Sequence, residues 1–390
     1  MKNKKFVIKT ILILSLIPSI GESAATRIAY IDAFATARGN AFTATADNAS
    51  AVFYNSAGLS LIEGTEIHVN GYFFSAENTY DGFLGNAETD DDFQAIPSIF
   101  LAHNLKDFPI SLGFGVYAPF ALGVDWGEDA PFAPIGYEAD LYYIKYHFAI
   151  AWQITEKLSV GIGPSYDNAD IELKTTGPLG SFDGDDEAIG FSISILWQPS
   201  DKHSFGLNYQ GPTTMDFKGN QTEAAPFAIP SKGKLDFPES IVVGYSWRPN
   251  EKWNAEFNLD WTNWDKVDDL TILNEFTSNT ILLNWESAFI WEAGLTRYFD
   301  NGLNISGGYT YIENAVPDET FTPLVPDADR HFFSFGVGGD YKDFSWQLVY
   351  QFSYDSERTV ADSPAPSTIL TDGDYDIQSQ SVAISGTYRF

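Results

Sequence analysis

Alternation of apolar and polar residues, repeated in one segment after another from residue 64 onward, limits the possible folds of this chain more than any other feature. In Trp253–Thr262, Phe257 and Trp261 fall on one face, while Glu256 and Asp260 fall on the other. Successive side chains of a β-strand point to opposite faces, so a period of two predicts strands with one apolar and one polar face. A β-sandwich and a membrane barrel both fit this pattern, and the connections between strands have to distinguish them.

The connections alternate in length. Short turns, such as Asp300-Asn301-Gly302 with its hairpin-forming Asn-Gly pair, alternate with seven long loops. Outer-membrane barrels have short turns at one end and long loops at the other, whereas a sandwich has no reason to sort its loops in this way. We identify fourteen strands, an even number, as such barrels require. They lie near residues 65–74, 95–104, 110–118, 141–154, 158–173, 188–198, 203–210, 234–247, 253–264, 285–298, 303–312, 331–341, 344–354 and 377–390.

The first residues are typical of a secretory signal peptide. Basic residues precede an apolar run at 6–20, and small residues follow it, so we expect residues 1–25 to be a signal peptide. Cleavage after Ser23 and cleavage after Ala25 both suit the small-residue rule. The run is too short for a membrane-spanning helix, which needs roughly 20 apolar residues.

Charge and composition exclude several classes of function. The formal net charge of −31 argues against nucleic acid as a partner, and a chain without cysteine has no thiol chemistry. The long loops hold 32 of the Asp and Glu residues, which exposure to water explains. Their acidic runs at 90–92 and 183–187 lack the ligand spacing of an EF-hand, so we predict neither a metal site nor a cofactor. No nucleophile, base and orienting group can be assembled from residue spacing, so we predict that the chain is not an enzyme.

The last strand ends in an aromatic residue. Val382, Ile384, Tyr388 and Phe390 share one face of it. Outer-membrane barrels commonly present such a strand to their assembly machinery, so we expect that machinery to be a partner through Phe390. Aromatic residues make up 16% of the chain, which suits the aromatic girdles at the two interfaces of a membrane barrel. Closure of the sheet is required in lipid, because every backbone N–H and C=O group has to be paired within the protein.

A segment rich in Ala, Ser and Asn, residues 39–60, precedes the first strand. A fourteen-stranded ring leaves an open lumen unless something fills it. Asp47 is predicted to begin a short helix that runs to Tyr54, and Gly58 to end it. The segment is interpreted either as an extension that stiffens the barrel or as a plug that gates it.

The run from Arg38 to Leu59 resembles the N-terminal hatch of the FadL-type long-chain fatty acid transporters, a family that also contains importers of aromatic hydrocarbons. Residues 117–123, 260–264 and 326–336 resemble further parts of that family, in order along nearly the whole chain after the signal peptide. One motif departs from the family. Its hatch motif reads Asn-Pro-Ala, whereas this chain has Asn55-Ser56-Ala57, and Ser restores a backbone donor that Pro lacks.

The resemblance implies an all-β fold, a 14-stranded antiparallel transmembrane barrel of residues 63–390 with a small helical hatch of residues 26–62 inside it. It implies passive uptake of hydrophobic compounds across the outer membrane of a Gram-negative cell, surrounded by lipid and lipopolysaccharide. The extracellular loops would capture the ligand, the hatch would gate the barrel, and the ligand would leave sideways near the third strand. A side exit into lipid avoids desolvating the ligand again, at roughly 0.8 kcal/mol per CH₂ group. The alternative is a general aqueous porin with a structural plug.

Candidate residues for gating and exit follow from these motifs. Gly weakens a strand interior and often marks a bend, and Pro cannot donate to a strand ladder, so the third strand is a candidate exit. The competing interpretation is a strand that ends at a proline turn. The gating candidates are Asn55, Ser56 and Ala57, and the exit candidates are Gly113, Gly115, Ala118, Pro119 and Phe120.

Candidate ligand contacts lie in the hatch and in two long loops. Apolar residues in the loop after the third strand suggest an exposed landing patch for the ligand, and packing among the loops is the competing explanation. Arg330 is a candidate partner for a ligand carboxylate, or an ion-pair partner of Asp327 or Asp329. The ligand-binding candidates are Phe53, Tyr54, Leu122, Trp126, Phe132 and Arg330.

Overall fold

The computed structural model describes residues 25–89, 93–178, 180–222, 228–354, 356–361 and 370–390. Residues 1–24, which include most of the predicted signal peptide, and the acidic run at 90–92 lie outside the described residues. No helix within the described ranges is long and apolar enough to cross a membrane.

Twenty β-strands form one sheet in the described part of the chain. The first ten are β1 (Thr65–Gly82), β2 (Gly85–Glu88), β3 (Gln94–Leu105), β4 (Ile110–Asp125), β5 (Glu138–Thr155), β6 (Leu158–Lys174), β7 (Ser181–Ser200), β8 (His203–Gln210), β9 (Thr213–Thr222) and β10 (Ala228–Phe237). The others are β11 (Ser240–Asn250), β12 (Trp253–Thr262), β13 (Asp269–Leu273), β14 (Ser278–Leu282), β15 (Ala288–Tyr298), β16 (Leu303–Ile312), β17 (Arg330–Tyr341), β18 (Phe344–Tyr354), β19 (Ser356–Val360) and β20 (Gly373–Arg389).

These strands form a closed antiparallel barrel of fourteen strands, as predicted. Five pairs of consecutive strands are each two parts of one barrel strand, namely β8 with β9, β10 with β11, β12 with β13, β14 with β15 and β18 with β19. The short β2 only forms a hairpin with the end of β1. The ring closes between β1 and β20, which pair from Glu66 and Arg389 to Gly82 and Gly373. Closure leaves no free edge at this junction of first and last strand.

The polarity of the inner and outer faces of the barrel is reversed between its two ends. Near the short turns, apolar side chains such as Ile195 face outward and are exposed, while Ser194 beside it is buried in the lumen. Near the long loops, the charged Lys218 faces outward on β9, and its neighbour Phe217 is buried inside. An apolar outer band suits contact with lipid, and the charged surface beyond it suits contact with water.

Strands reach into six of the seven predicted long loops, so the predicted loop bounds were wrong there. The loops at 75–94, 119–140 and 174–187 contain β2 and end parts of neighbouring barrel strands. The loops at 211–233, 265–283 and 355–376 differ most from the prediction. They contain β9 and part of β10, then β13 and β14, then β19 and the start of β20. The charge in these segments belongs largely to outward-facing residues of strands that continue beyond the membrane. In these segments the apolar residues face inward and the polar residues face outward, which is the reverse of the membrane part. The apolar–polar alternation of the membrane strands is therefore not continued into them.

The hatch precedes β1 and fills the lumen. It contains two short helices, α1 (Ala33–Ala37) and α2 (Ala51–Tyr54), and a 3₁₀ helix at Ser56–Leu61. Asp32 begins α1 by accepting a hydrogen bond from the backbone N–H of Phe34 at 2.7 Å. The hatch contacts strands on several sides of the ring, from β4, β5 and β6 to β16, β17 and β18.

The predicted helix boundaries within the hatch were wrong. Asp47 does not begin a helix, because its carboxylate accepts a hydrogen bond from Arg248 at 2.8 Å and α2 begins only at Ala51. Gly58 lies inside the 3₁₀ helix and does not end a helix. A Cβ atom at that position would overlap the backbone of Ala46, so a glycine is needed for the close approach of two hatch segments.

Candidate functional site

Buried ion pairs join the hatch to one side of the barrel wall. The guanidinium of Arg27 contacts both carboxylate oxygens of Asp260 on β12, each at 2.7 Å, and donates to Thr262 Oγ1 at 2.7 Å. Arg38 lies 3.5 Å from Glu256 on the same strand. All four charged side chains are buried. An unpaired charge would be costly at these depths, so each pair favours one position of the hatch.

Uncharged hatch groups extend this interface. The backbone N–H of Ala44 donates to Glu256 Oε1 at 2.8 Å, and Asn40 Nδ2 donates to Glu292 Oε1 on β15 at 2.7 Å. The polar face that the alternation predicted for 253–262 therefore binds the hatch and does not line an open channel.

The strands that close the ring hold the hatch on the opposite side. Glu66 at the start of β1 accepts hydrogen bonds from the backbone N–H of Ala49 at 2.6 Å and from Arg389 on β20 at 3.0 Å. Asp32 lies 3.6 Å from His68 Nε2, and both side chains are buried. The hatch is thus bonded to opposite walls.

The residues predicted to gate the barrel lie against β7. Asn55 Nδ2 donates to the carbonyl of Ile195 at 3.0 Å, and Ser56 Oγ lies 2.7 Å from Ser194 Oγ. The backbone N–H of Ala57 donates to the same Ser194 oxygen at 2.9 Å. A proline in place of Ser56 would remove the first of these serine contacts. The gating role of the three residues stays a prediction.

Phe53 and Tyr54 anchor the hatch through ring contacts. Phe53 packs edge-on against Tyr117 of β4, with 5.1 Å between ring centroids, and the Tyr54 hydroxyl lies 2.9 Å from Asn40 Oδ1. Burial raises the pKa of Tyr54 well above its ordinary value, and the Asp32 carboxylate adds to the effect, so the hydroxyl keeps its proton. Direct contact of these rings with a ligand stays a prediction.

Gly113 and Gly115 leave room for the hatch on the inner face of β4. A Cβ atom at Gly113 would lie 2.6 Å from methyl carbons of both Val52 and Leu59, and one at Gly115 would lie 3.2 Å from a Val52 methyl carbon. Both distances are shorter than normal carbon–carbon contacts. A Cβ atom at Gly115 would also lie 2.7 Å from the ring of Phe100 on β3. Gly113 therefore serves the packing of the hatch against the wall, and Gly115 leaves room for both Phe100 and the hatch.

The irregularity of the third barrel strand lies beyond these glycines. Pairing of β4 with β5 is continuous through both of them and shifts between Tyr117 and Phe120. One extra residue on β4, at Ala118-Pro119, makes this a β-bulge, which bends the strand and changes the face to which side chains point. The bend predicted at the glycines is displaced to the proline. The strand continues past Pro119 to Asp125, so it does not end at a proline turn.

Hydrogen bonding between β3 and β4 stops at the level of the bulge. Within the described strands, the last pair on that side is Ile99 with Val116. Residues 94–98 of β3 pair only with β1, and residues 117–125 of β4 pair only with β5 among the strands. We call this interruption between 94–98 and 117–125 the seam.

The first residues of the hatch, the arm at 26–31, run beside β4 at the seam. Ile28 N donates to the carbonyl of Pro119 at 2.8 Å, and Ala121 N donates to the carbonyl of Thr26 at 2.9 Å. The arm therefore supplies backbone partners that β3 does not supply at this height.

A small pocket lies where the arm, the bulge and the wall meet. Its lining includes Phe53, Pro119, Phe120 and Tyr143, together with two cationic side chains, Arg27 and Lys145. Both cations are paired, Arg27 with Asp260 as above and Lys145 with Asp167 at 3.4 Å.

Sequence reasoning predicted only Phe53, Pro119 and Phe120 among the residues that line this pocket. Arg27 and Lys145 were not singled out, and neither was Tyr143, whose hydroxyl donates to Asp167 at 2.7 Å. The signal for Lys145 was present, because a lysine in the middle of a predicted membrane strand has to face the lumen. The pairing of the arm with β4 gave no signal, since it joins residues more than 90 positions apart.

The loop residues predicted as a landing patch are mostly not exposed. Trp126 and Phe132 are buried and packed edge-on at 5.3 Å, and Leu122 is half-buried. The indole N–H of Trp126 donates to the carbonyl of Pro323 at 2.8 Å. Trp126 and Phe132 therefore follow the competing interpretation, in which these residues pack among the loops.

Arg330 is engaged by the loop before β17. Its guanidinium lies 3.2 Å from Asp327, and both side chains are buried. Asp327 also accepts hydrogen bonds from the backbone N–H groups of Ala315 at 2.8 Å and Ala25 at 3.1 Å. The ion pair with Asp327 is therefore formed, and binding of a ligand carboxylate by Arg330 stays a prediction.

Three acidic side chains meet on β5 and β6. Among the described residues, Glu138, Asp140 and Glu172 are close enough for a cation. Lys174 already contacts two of them, Glu138 at 2.6 Å and Glu172 at 3.5 Å. The ammonium group of Lys174 therefore already neutralises part of the negative charge of this cluster.

Comparison with known proteins identifies related chains over nearly the full length. A family model described as "Outer membrane protein transport protein (OMPP1/FadL/TodX)" matches residues 14–390. The long-chain fatty acid transport protein of Salmonella typhi is 21% identical over 394 residues, covering 87% of this chain and 87% of that protein.

Solved structures share the fold. A Pseudomonas aeruginosa FadL homologue has a TM-score of 0.85 at 16% identity, covering 94% of this chain and 100% of that one. The Pseudomonas putida toluene transporter TodX has a TM-score of 0.74 at 14% identity, with the same coverage.

Proposed function

Because the chain belongs to the OMPP1/FadL/TodX family of outer membrane transport proteins, we propose that it takes up long-chain fatty acids or aromatic hydrocarbons by passive diffusion. The prediction that it is not an enzyme is confirmed by this membership, and so is its location in the Gram-negative outer membrane. Fatty acid and toluene are the substrates named for the related proteins. Lipopolysaccharide and the assembly machinery stay predicted partners.

The filled lumen carries this proposal. Hatch residues are bonded to opposite walls by buried ion pairs and hydrogen bonds, such as Arg27 with Asp260 and Ala49 with Glu66. A general aqueous porin, the alternative, needs a continuous water path, and polar lumen residues that bind a hatch do not provide one. Transport then has to be triggered by a ligand that displaces part of the hatch.

The seam and the arm support a lateral route. Main-chain pairing of β4 with the arm is limited to one bridge at Phe120, with two hydrogen bonds beside it. Release of this short arm would expose the seam between two barrel strands whose outer faces contact lipid. A hydrophobic ligand in the adjoining pocket would then reach the membrane without entering water.

Uptake by cells tests the proposed function. The full chain is expressed in a Gram-negative strain that lacks its own fatty acid channel, and entry of labelled oleate and labelled toluene is followed, with arabinose as a hydrophilic control solute. We expect faster entry of at least one apolar compound and no gain for arabinose. Free entry of arabinose with no gain for either apolar compound would identify a porin.

Locking the arm to β4 tests the lateral route. The chain has no cysteine, so Thr26→Cys with Ala121→Cys introduces one pair across the hydrogen bond that joins these residues. We expect the oxidised variant to lose most of its uptake of the compound that the parent chain transports, and a reductant to restore it. The two single variants control for the substitutions themselves. Full uptake by the cross-linked protein would rule out a route that requires the arm to leave β4.

A further inference from the structure

Two buried tryptophans between the extracellular loops and the pocket have indole N–H groups without a hydrogen-bond acceptor. Trp264 lies in the 3₁₀ helix at Trp264–Lys266, and Trp285 precedes β15. Both side chains are buried, and neither Nε1 atom has a partner in the described part of the chain. Buried donors in folded proteins are nearly always paired, so two unpaired donors in one cluster call for an explanation.

Packing of the two rings on each other does not explain both donors. The ring centroids are 5.1 Å apart and the planes are at 75°, an edge-to-face arrangement. In such a pair only one ring directs its edge at the face of the other, so at most one N–H group could point at an aromatic face. The third buried tryptophan of the described residues, Trp126, is paired with the Pro323 carbonyl. Missing acceptors are therefore a property of this pair and not of buried tryptophans throughout the barrel.

The pair is continuous with the pocket beside the hatch. Trp264 contacts Phe120 at 6.2 Å between ring centroids, and Phe120 lines the pocket. Phe120 in turn contacts Tyr143 at 5.3 Å and Phe237 at 5.1 Å. The Phe120 ring thus lies between the pocket and Trp264, and Trp285 lies next to Trp264.

We propose that Trp264 and Trp285 bind the oxygen-bearing end of a long-chain substrate through their indole N–H groups. This inference rests on the proposed function and narrows its substrate class to hydrophobic compounds with a carboxyl or hydroxyl group. The surrounding rings suit the hydrocarbon chain, and an oxygen acceptor satisfies donors that a pure hydrocarbon would leave unpaired. A site built to pair with a polar group discriminates against an analogue that lacks the group.

Uptake by a double variant tests the assignment. Trp264→Phe with Trp285→Phe removes both donors and keeps an aromatic ring at each position. Trp291→Phe is the matched control, because the same change there removes an indole that lies on the outer face of the barrel and contacts Glu313. Entry of labelled oleate and labelled 1-octadecene is compared at limiting concentration, with wild type measured beside each variant.

We expect the double variant to lose at least about tenfold in oleate entry, because two hydrogen bonds to the oleate oxygen atoms are removed, with octadecene entry unchanged. The control variant should match wild type for both compounds. Equal losses for both compounds, or no loss of oleate entry, would overturn the inference. Wild type that transports toluene but not oleate would overturn it and leave the proposed function standing. Wild type that transports neither oleate nor toluene would refute the proposed function itself.

A spectroscopic measurement covers the case in which the double variant does not assemble. Indole N–H resonances of the purified wild-type barrel are assigned with the single variants Trp264→Phe and Trp285→Phe. We expect oleic acid to move these two resonances downfield, as hydrogen-bonded protons move, and octadecene to leave them in place. Shifts that are the same with both compounds would overturn the inference.

Discussion

Deletion of residues 26–60 is expected to convert a barrel that excludes small hydrophilic solutes into an open pore. The hatch occupies the lumen and covers several carboxylates of the wall. They include Glu66, Glu256, Asp260 and Glu292. Without the hatch these groups would face a water-filled channel, and cations would pass more readily than anions because the wall is acidic.

Conductance in planar bilayers measures this effect. The intact barrel should show only small or rare openings, whereas the deletion variant should show a stable, cation-selective conductance. Arg248→Ala is a suitable control, because it removes only the partly exposed pair with Asp47 and leaves the hatch in the lumen. A large steady conductance of the intact barrel, unchanged by the deletion, would mean that the hatch does not close the channel.

Loss of the Asp260 carboxylate is expected to have the largest effect of any single substitution on the hatch. Among the described residues, Asp260→Ala leaves the buried guanidinium of Arg27 with Thr262 as its hydrogen-bond partner and without a directly bonded carboxylate. Breaking a buried pair from one side typically costs about 3–5 kcal/mol. Asp47→Ala breaks the partly exposed pair with Arg248 and should cost about 1 kcal/mol or less.

Urea titration of the barrel in lipid vesicles, combined with hydrogen exchange of the hatch, measures both costs. In Asp260→Ala the hatch should lose protection well below the urea concentration that unfolds the barrel. Replacing both partners, Arg27→Met with Asp260→Leu, should recover much of the loss, because no charge is then left buried without a partner. Equal behaviour of Asp260→Ala and Asp47→Ala would show that the buried pair does not hold the hatch.

The barrel could be predicted from the sequence because each membrane strand carries its own signal. Ile195 and Ser194 alternate between lipid and lumen, and the solvents on the two sides differ enough to keep apolar and polar residues apart. The strand parts beyond the membrane were predicted as loops, since there water lies outside and packed loops fill the inside. There the charged Lys218 faces outward and the apolar Phe217 faces inward, the reverse of the membrane part.

The candidate site could be predicted only in outline. Pro119 indicated an irregular third strand, and the structure has a bulge there. The roles of Gly113 and Trp126 depend on what packs against them, which is the hatch in one case and another loop in the other. Arg27 gave no local signal, because its partner Asp260 lies 233 residues away.

The position of Glu66 constrains the order of assembly. This residue lies near the start of the first strand, and it bonds both to the hatch at Ala49 and to Arg389 on the last strand. The junction that completes the ring is therefore also a junction with the hatch. A plug bonded to walls on opposite sides has to be in place before the first and last strands meet, since a completed ring offers no comparable route for threading it inside. The hatch precedes every strand in the chain, so it is synthesised and exported first. The strands of the barrel then assemble around the hatch.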